Sequence, residues 1–159
     1  TRTGLKVQSL ADLIAFNQTN ADTELKWFGQ EIFEDAEKTK GLDDPEYKKA
    51  LEKVKEMSQK GIEKMMDEHQ LDALIAPTNG PSWTIDLVNG DHFGGGSSEP
   101  AAISGYPNIT VPAGFVHGLP VGISFFGKAW SEPTLIKLAF SFEQATKHRK
   151  APGFLKSIE

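Results

Sequence analysis

The stretch Asn89-Gly90-Asp91-His92-Phe93-Gly94-Gly95-Gly96-Ser97-Ser98-Glu99 gathers two serines, a histidine and two carboxylates within a few residues of one another. These are the residue types of a serine hydrolase, in which an oriented base takes the proton of a nucleophilic hydroxyl. Ser97 or Ser98 with His92 would be such a pair. The spacing argues against it, because triad members meet in space from distant chain positions and neighbours along a loop rarely reach that geometry. The Gly-x-Ser-x-Gly of a nucleophile elbow does not occur in the stretch. No Gly-x-Gly-x-x-Gly follows a strand, and no Gly-Lys-Ser/Thr is present, so a phosphate cradle is not indicated either. A tight loop whose glycines supply positive φ accounts for the composition, and such a loop can line a pocket.

Other polar groupings carry less. Glu143 with His148, and His69 with Asp67 and Glu68, lack the His-x-x-x-His type of ligand spacing and read as solvated helix-end residues. His117, between Val116 and Gly118, reads as a turn residue. No metal and no organic cofactor is expected. Trp83, Phe93 and Trp130 fall in predicted loops where no core period requires them, which leaves packing, a pocket wall or a partner contact as their roles.

Residues from about 9 to 70 read as helical. Ser9 with Asp12 forms a capping-box start before Leu10, Leu13, Ile14 and Phe16. A short helix is expected over Gln30 to Lys38. Asp44 and Pro45 give an N-cap and N1 pair for a long helix, whose stripe is Tyr47, Leu51, Val54, Ser58, Ile62 and Met65. Gly61 inside it costs ~1 kcal/mol relative to Ala and leaves room for a fray or local bend. From residue 71 onward, short apolar strands alternate with Gly/Pro turns. Leu71 to Ala76 is stopped by Pro77 and reads as a strand buried on both faces. Asn108 to Val111 is stopped by Pro112, and Val121 to Phe126 follows Pro120. A closing helix starts at Ser131 as cap, buries Leu135, Leu138, Ala139, Phe142 and Ala145, and gathers Lys147 to Lys150 in its last turn. The fold class is therefore α/β, with helices packed on a mixed sheet, in a single domain over residues 1–159.

Composition narrows the function classes. The chain has 159 residues, 38% hydrophobic and 25% charged, with a formal net charge of -5. No clustered Lys/Arg face marks a nucleic-acid footprint, and no apolar run approaches the ~18 residues that span a bilayer. Cysteine is absent, which excludes disulfide scaffolds and thiolate chemistry. The compartment stays open, with the cytoplasm as the default. The chain begins Thr1-Arg2-Thr3-Gly4 without Met, which either tag removal or a boundary inside a longer protein would explain.

Several ordered segments carry a resemblance. They are Leu71-Asp72-Ala73-Leu74-Ile75-Ala76-Pro77-Thr78, then Pro100-Ala101-Ala102-Ile103-Ser104-Gly105-Tyr106-Pro107-Asn108-Ile109-Thr110-Val111-Pro112-Ala113-Gly114. Gly118-Leu119-Pro120-Val121-Gly122-Ile123 and Phe142-Glu143-Gln144-Ala145-Thr146 follow, with Leu10 to Asn17 and Phe28 to Glu31 ahead of them. In order and spacing they resemble the carboxyl-terminal part of the amidase signature family. The resemblance implies a hydrolase of carbon-nitrogen amide bonds that works through a Ser-Ser-Lys unit without metal or cofactor. That unit is contributed by a more amino-terminal region, so no catalytic residue is assigned in this chain. Gly95-Gly96-Ser97-Ser98 echoes the family's nucleophile stretch, but it is followed by Glu99-Pro100 and lies on the carboxyl side of Ala76-Pro77-Thr78.

By resemblance, the loops Thr78 to Ile85 and Phe93 to Ser98 shape the active-site mouth. Thr78, Trp83, Phe93, Ser97 and Ser98 are then substrate-pocket residues, with a small-molecule amide as the parent's substrate. Gly95 stands where the glutamyl-tRNA amidotransferase branch has a substrate-binding Asp. Two other readings stay open: a non-catalytic binding module with an amidase-like fold, and a small serine hydrolase built on Ser97 or Ser98 with His92. A fragment of a larger fold is also expected to self-associate through surface its parent would cover.

Overall fold

The computed structural model describes residues 6–154. Among them the elements run α1 (Leu10–Thr19), α2 (Ala21–Glu24), α3 (Glu31–Glu37), α4 (Pro45–Glu68), β1 (Leu74–Pro77), α5 (Glu99–Ser104), β2 (Asn108–Val116), β3 (Leu119–Phe126) and α6 (Glu132–Thr146). The chain divides into two compact units, Thr1–Lys48 and Lys49–Glu159. The boundary falls inside α4 rather than at the change of composition near residue 71.

In the first unit, the Ser9 hydroxyl accepts the Asp12 N–H at 3.1 Å while the Asp12 carboxylate accepts the Ser9 N–H at 3.1 Å, closing the expected capping box. The Gln30 side-chain amide donates to the Ile14 carbonyl at 3.3 Å, tying the start of α3 to α1. Asp44 caps α4 by accepting the Glu46 N–H at 2.8 Å, with Pro45 at the first helical position.

In the second unit, α4 continues through Gly61 without a break. Its buried residues are Ile62 and Met66; Met65, Leu51 and Val54 are exposed. The stripe predicted from spacing is thus realised only near the carboxyl end, where α4 meets the sheet and α5. Ser58 donates to the Pro100 carbonyl at 2.8 Å, and the Gln59 side-chain amide donates to the Ser104 carbonyl at 2.9 Å. Both bonds tie α4 to α5. Past α4, Gln70 takes φ +51 and the Leu71 N–H returns to the Met66 carbonyl at 2.9 Å, a left-handed stop that turns the chain into β1.

The helix-on-sheet class is present. The sheet order is β1-β3-β2. Both ladders are antiparallel, so the mixed character expected of the sheet is not carried by these three strands. β2 and β3 form a hairpin across His117 and Gly118, whose φ values of +48 and +81 fit a two-residue primed turn. β2 runs past Pro112, where the sequence reading stopped it. Proline is tolerated because β2 is an edge strand, and a register irregularity lies between Pro112 and Gly114.

One face of the sheet packs on α4 and α5: Ile62, Met66, Ala101 and Phe126 are its buried centre, with Leu74, Ala76 and Tyr106 against them. The other face packs on α6, where Phe125, Leu135 and Ala139 are buried among Ile109, Val111, Ile123 and Phe142. The Phe125 and Phe142 rings meet edge-on, with centroids 5.9 Å apart. β1 is not buried on both faces as expected. Leu74 and Ala76 turn inward, whereas Ile75 is 64% exposed, because α6 does not reach over this edge strand.

The closing helix also departs from expectation. Ser131 sits at the N-cap position, but its hydroxyl donates backward to the Lys128 carbonyl at 2.7 Å instead of capping α6. The helix stops at Thr146, because Lys147 turns left-handed at φ +51; the basic run therefore lies beyond the last turn, and Ala145 is exposed.

Leu135 is 1% exposed at the centre of the α6 core. Replacing it by Ala is expected to cost about 3 kcal/mol, from lost transfer energy and the cavity left behind. Urea denaturation followed by circular dichroism checks this; a loss below about 1 kcal/mol would mean the site collapses freely.

Candidate functional site

Thr78 is the first residue after β1, and its backbone works in two directions. Its N–H donates to the Gly122 carbonyl at 2.9 Å, and its own carbonyl accepts the Ser97 N–H at 3.0 Å. An antiparallel bridge between Asn79 and Gly96 extends the second contact. The two loops singled out by resemblance are therefore joined at their roots. Gly96 suits this close approach, since a Cβ at that position would lie 3.1 Å from the Thr78 carbonyl oxygen, a tight contact.

The Thr78 side chain enters a cluster of three hydroxyls. Thr78 Oγ1 lies 2.8 Å from Ser124 Oγ, Thr110 Oγ1 lies 3.0 Å from Ser124 Oγ, and Thr78 Oγ1 donates to Thr110 Oγ1 at 3.4 Å. Ser124 is 1% exposed on the central strand, where an unpaired hydroxyl would cost about 1–3 kcal/mol. The two threonines remove that cost. Beside them Gly122 leaves the space they fill: a Cβ would meet Thr110 Cγ2 at 2.8 Å and Thr78 Oγ1 at 2.9 Å. The hydroxyls line a cavity of about 490 Å³ with Ser98, Tyr106 and Asn108. Tyr106 is fixed by a hydrogen bond from its phenol to Glu63 on α4. That bond, with burial and the carboxylate's charge adding to it, holds the phenol protonated and pushes its pKa up to about 12.

Farther along the same loops, Trp83 and Phe93 pair, with ring centroids 6.1 Å apart and planes tilted by 59°. The indole N–H of Trp83 donates to Asp91 Oδ1 at 3.4 Å. Between them Asp86 closes a turn by accepting the Val88 and Asn89 N–H groups, each at 2.9 Å, and the Asn89 side-chain amide at 2.9 Å. These donors, led by the Asn89 backbone, hold the Asp86 carboxyl down to about 2.

The serine-histidine pair weighed from the sequence is not assembled. Ser97 Oγ is buried without a hydrogen-bond partner among the described residues, and Ser98 makes no side-chain cap bond at the start of α5. His92 Nε2 instead lies 3.7 Å from Asp86 Oδ2. Trp130 is exposed in the turn before α6, apart from this pair. Asp67 is bound to Lys128, and Glu68 lies 3.8 Å from Lys64. Among the described residues, no group of three or more His, Cys, Asp or Glu converges as a metal site.

Of the five residues singled out from the sequence, Thr78, Ser97 and Ser98 thus meet at the loop roots, and Trp83 and Phe93 pair farther out. Sequence reasoning missed Thr110, Ser124 and Asp86, and gave Asp91 no role beside Trp83. Ser124 had a visible signal, as a hydroxyl inside the otherwise apolar run Val121 to Phe126.

A helix-covered sheet with two glycine-containing loops rooted on a single threonine is an α/β arrangement shared with solved amidase structures. Residues 7–136 match the amidase family, and the chain belongs to that family. A protein named as a probable amidase from Arabidopsis thaliana is 46% identical over 151 residues, covering 94% of this chain and 26% of that protein. The crystal structure of native peptide amidase from Stenotrophomonas maltophilia superposes with a TM-score of 0.83 at 46% identity, covering 94% of this chain and 30% of that one. Peptide amidase in complex with the competitive inhibitor chymostatin superposes at 0.87 with 48% identity, covering 94% and 31%. The chain therefore spans less than a third of the length of these relatives.

The Asp86 turn gives a pH prediction. A carboxyl whose folded pKa is depressed contributes stability above its unfolded value of 3.8, and that contribution is lost as pH falls through about 2. A carbon-detected NMR titration is expected to place the Asp86 midpoint near 2, with the Asn89 amide shift moving alongside. A midpoint at 3.8 would show that the turn does not hold in solution.

Proposed function

We propose that this chain supplies the carboxyl-terminal, pocket-lining region of a hydrolase that cleaves carbon-nitrogen amide bonds, and that the Ser-Ser-Lys unit performing the chemistry lies outside it. The observation that carries this reading is the match to amidases of more than three times the length, together with a glycine-serine loop whose hydroxyls reach no base. In the proposed parent, a lysine activates a bridging serine, which takes the proton of the nucleophilic serine as it attacks the amide carbonyl. Backbone N–H groups hold the developing oxyanion. Residues of this chain shape the mouth: Thr78, Ser97 and Ser98 as polar groups near the root, Trp83 and Phe93 as its apolar wall. The likeness to peptide amidase favours a peptide-derived amide as substrate.

The test is hydrolysis of a panel of aryl, aliphatic and peptide amides by the purified chain, beside a Ser97→Ala/Ser98→Ala variant and a fluorophosphonate labelling reaction. Neither protein is expected to turn over or label. Turnover or labelling abolished by the double substitution would overturn this reading and make the glycine-serine loop a catalytic site. A non-catalytic binding module, the other reading, would be supported if the gene encoding the chain held no Gly-Gly-Ser-Ser-Gly-Gly stretch upstream.

A second proposal concerns the sheet face on the α6 side. Ile75, Pro77, Ala113, Val116, Val121 and Ile123 line an apolar hollow of about 500 Å³ there, and Ile136 and Phe140 of α6 are exposed. We infer that the chain self-associates through this surface, because exposed apolar area of this kind gains free energy on burial. Sedimentation velocity is expected to show a concentration-dependent increase in sedimentation coefficient, reduced in an Ile75→Lys variant. A clean monomer at all concentrations would count against it.

A further inference from the structure

The aromatic pair on the pocket loops has an electrostatic setting that the apolar-wall role does not use. Between Lys64 and Lys128 the sequence contains no Lys or Arg, while Asp67, Glu68, Asp72, Asp86, Asp91 and Glu99 all fall in that interval. The two flanking lysines are engaged, Lys64 near Glu68 at 3.8 Å and Lys128 with Asp67. Elsewhere in the chain, exposed rings take up a neighbouring lysine: Lys26 lies 4.8 Å from the Trp27 ring centroid, and Lys150 lies 5.0 Å from that of Phe115. No residue of the interval can do the same for Trp83 and Phe93.

These two rings are nevertheless well suited to a cation. Trp is the strongest aromatic partner for a positive charge, through the negative potential over its face. A carboxylate accepting the indole N–H pushes electron density toward that face. Asp91 does this, at 3.4 Å from Trp83 Nε1. The Phe93 ring, tilted by 59° at 6.1 Å, makes the pair a corner rather than a stack. With Trp83 38% exposed and Phe93 63% exposed, both rings keep open surface. Asp86 adds a second negative charge nearby, with its carboxyl held down to about 2 by the Asn89 and Val88 donors. His92, the one positive candidate on the loop, is 3.7 Å from Asp86 rather than over either ring.

We propose that Trp83, Phe93 and Asp91 form a binding site for an alkylammonium group. As a statement about substrate it rests on the amide-hydrolase reading and deepens it: the preferred amide carries a cationic amine or quaternary ammonium group at the end that meets this corner.

The test uses direct binding, so that it stands or falls apart from turnover. In a Trp27→Phe/Trp130→Phe variant the remaining indole is Trp83, and its fluorescence is titrated with tetramethylammonium chloride against sodium chloride of equal ionic strength. A saturable change is expected with tetramethylammonium and not with sodium, and tert-butanol, its neutral counterpart in shape, should bind at least about fivefold more weakly. In the same background, Phe93→Leu and Asp91→Asn should each weaken the response roughly threefold to fivefold, with the far-ultraviolet circular dichroism unchanged. No saturable change, or an equal response to tert-butanol, would overturn the site while leaving the amidase reading to its own assays. Full retention of binding in both substituted variants would overturn the assignment to these residues.

Discussion

Strand β3 has partners on both edges and helices on both faces, and residues 49–154 are arranged around satisfying it. Successive side chains of a strand point to opposite faces, so Phe125 enters the α6 core while Phe126 enters the α4 and α5 core. Ser124, one position earlier, is carried toward the α5 side and buried. A slip of one residue would exchange these faces and strand a hydroxyl among the α6 side chains. The His117-Gly118 turn prevents that slip on one edge, and the pairing of Ile75 with Phe125 and Ala76 with Ser124 prevents it on the other.

The loops that begin at Thr78 and end at Ser98 inherit their positions from that constraint. A buried Ser124 needs partners, and the residues that can supply them are those opposite it: Thr110 directly across on β2, and Thr78 just past β1. Once Thr78 is drawn in for its hydroxyl, its carbonyl is presented to Ser97 and its neighbour Asn79 to Gly96. A single requirement of the core, a satisfied hydroxyl in the central strand, therefore sets where both loops begin. The aromatic pair and the Asp86 turn lie beyond these roots and are held by local bonds.

Much of this could be read from residue types, and the failures have physical causes. Elements punctuated by an N-cap were placed well, as with Ser9 and Asp44-Pro45, because such residues act locally, whereas β3 starts at Leu119 and contains the Pro120 expected to precede it. Burial was harder. Spacing alone gave α4 a stripe from Tyr47 to Met65, but only the carboxyl-terminal end meets a partner, and Met66 rather than Met65 faces it. An apolar run does not say how far a neighbour extends, and so Ile75 was expected inside although α6 stops short of it. Pro112 misled in the opposite sense: it ends a central strand but is accepted on an edge. The hydroxyl cluster depends on register across three segments, which no local pattern encodes. The missing cations between Lys64 and Lys128 were visible in the sequence, yet they gain meaning only once two exposed rings stand together inside that interval.

The stretch Gly94 to Ser98 shows how residue types can imitate chemistry. Glycines beside serines invite a reading as a nucleophile loop, and each has a different explanation in the backbone. Gly95 takes φ +94, a conformation that side chains resist, and Gly96 lets the chain approach the Thr78 carbonyl closely enough to bridge. Ser97 contributes its N–H to that bridge, while its hydroxyl faces no base. A nucleophile requires a proton acceptor about 3 Å away and a third group to orient it, and the nearby imidazole is already set against Asp86. The glycines serve approach and turning, and the serine amide serves pairing. What distinguishes such a loop from a catalytic one is the destination of its hydrogen bonds, which composition cannot give.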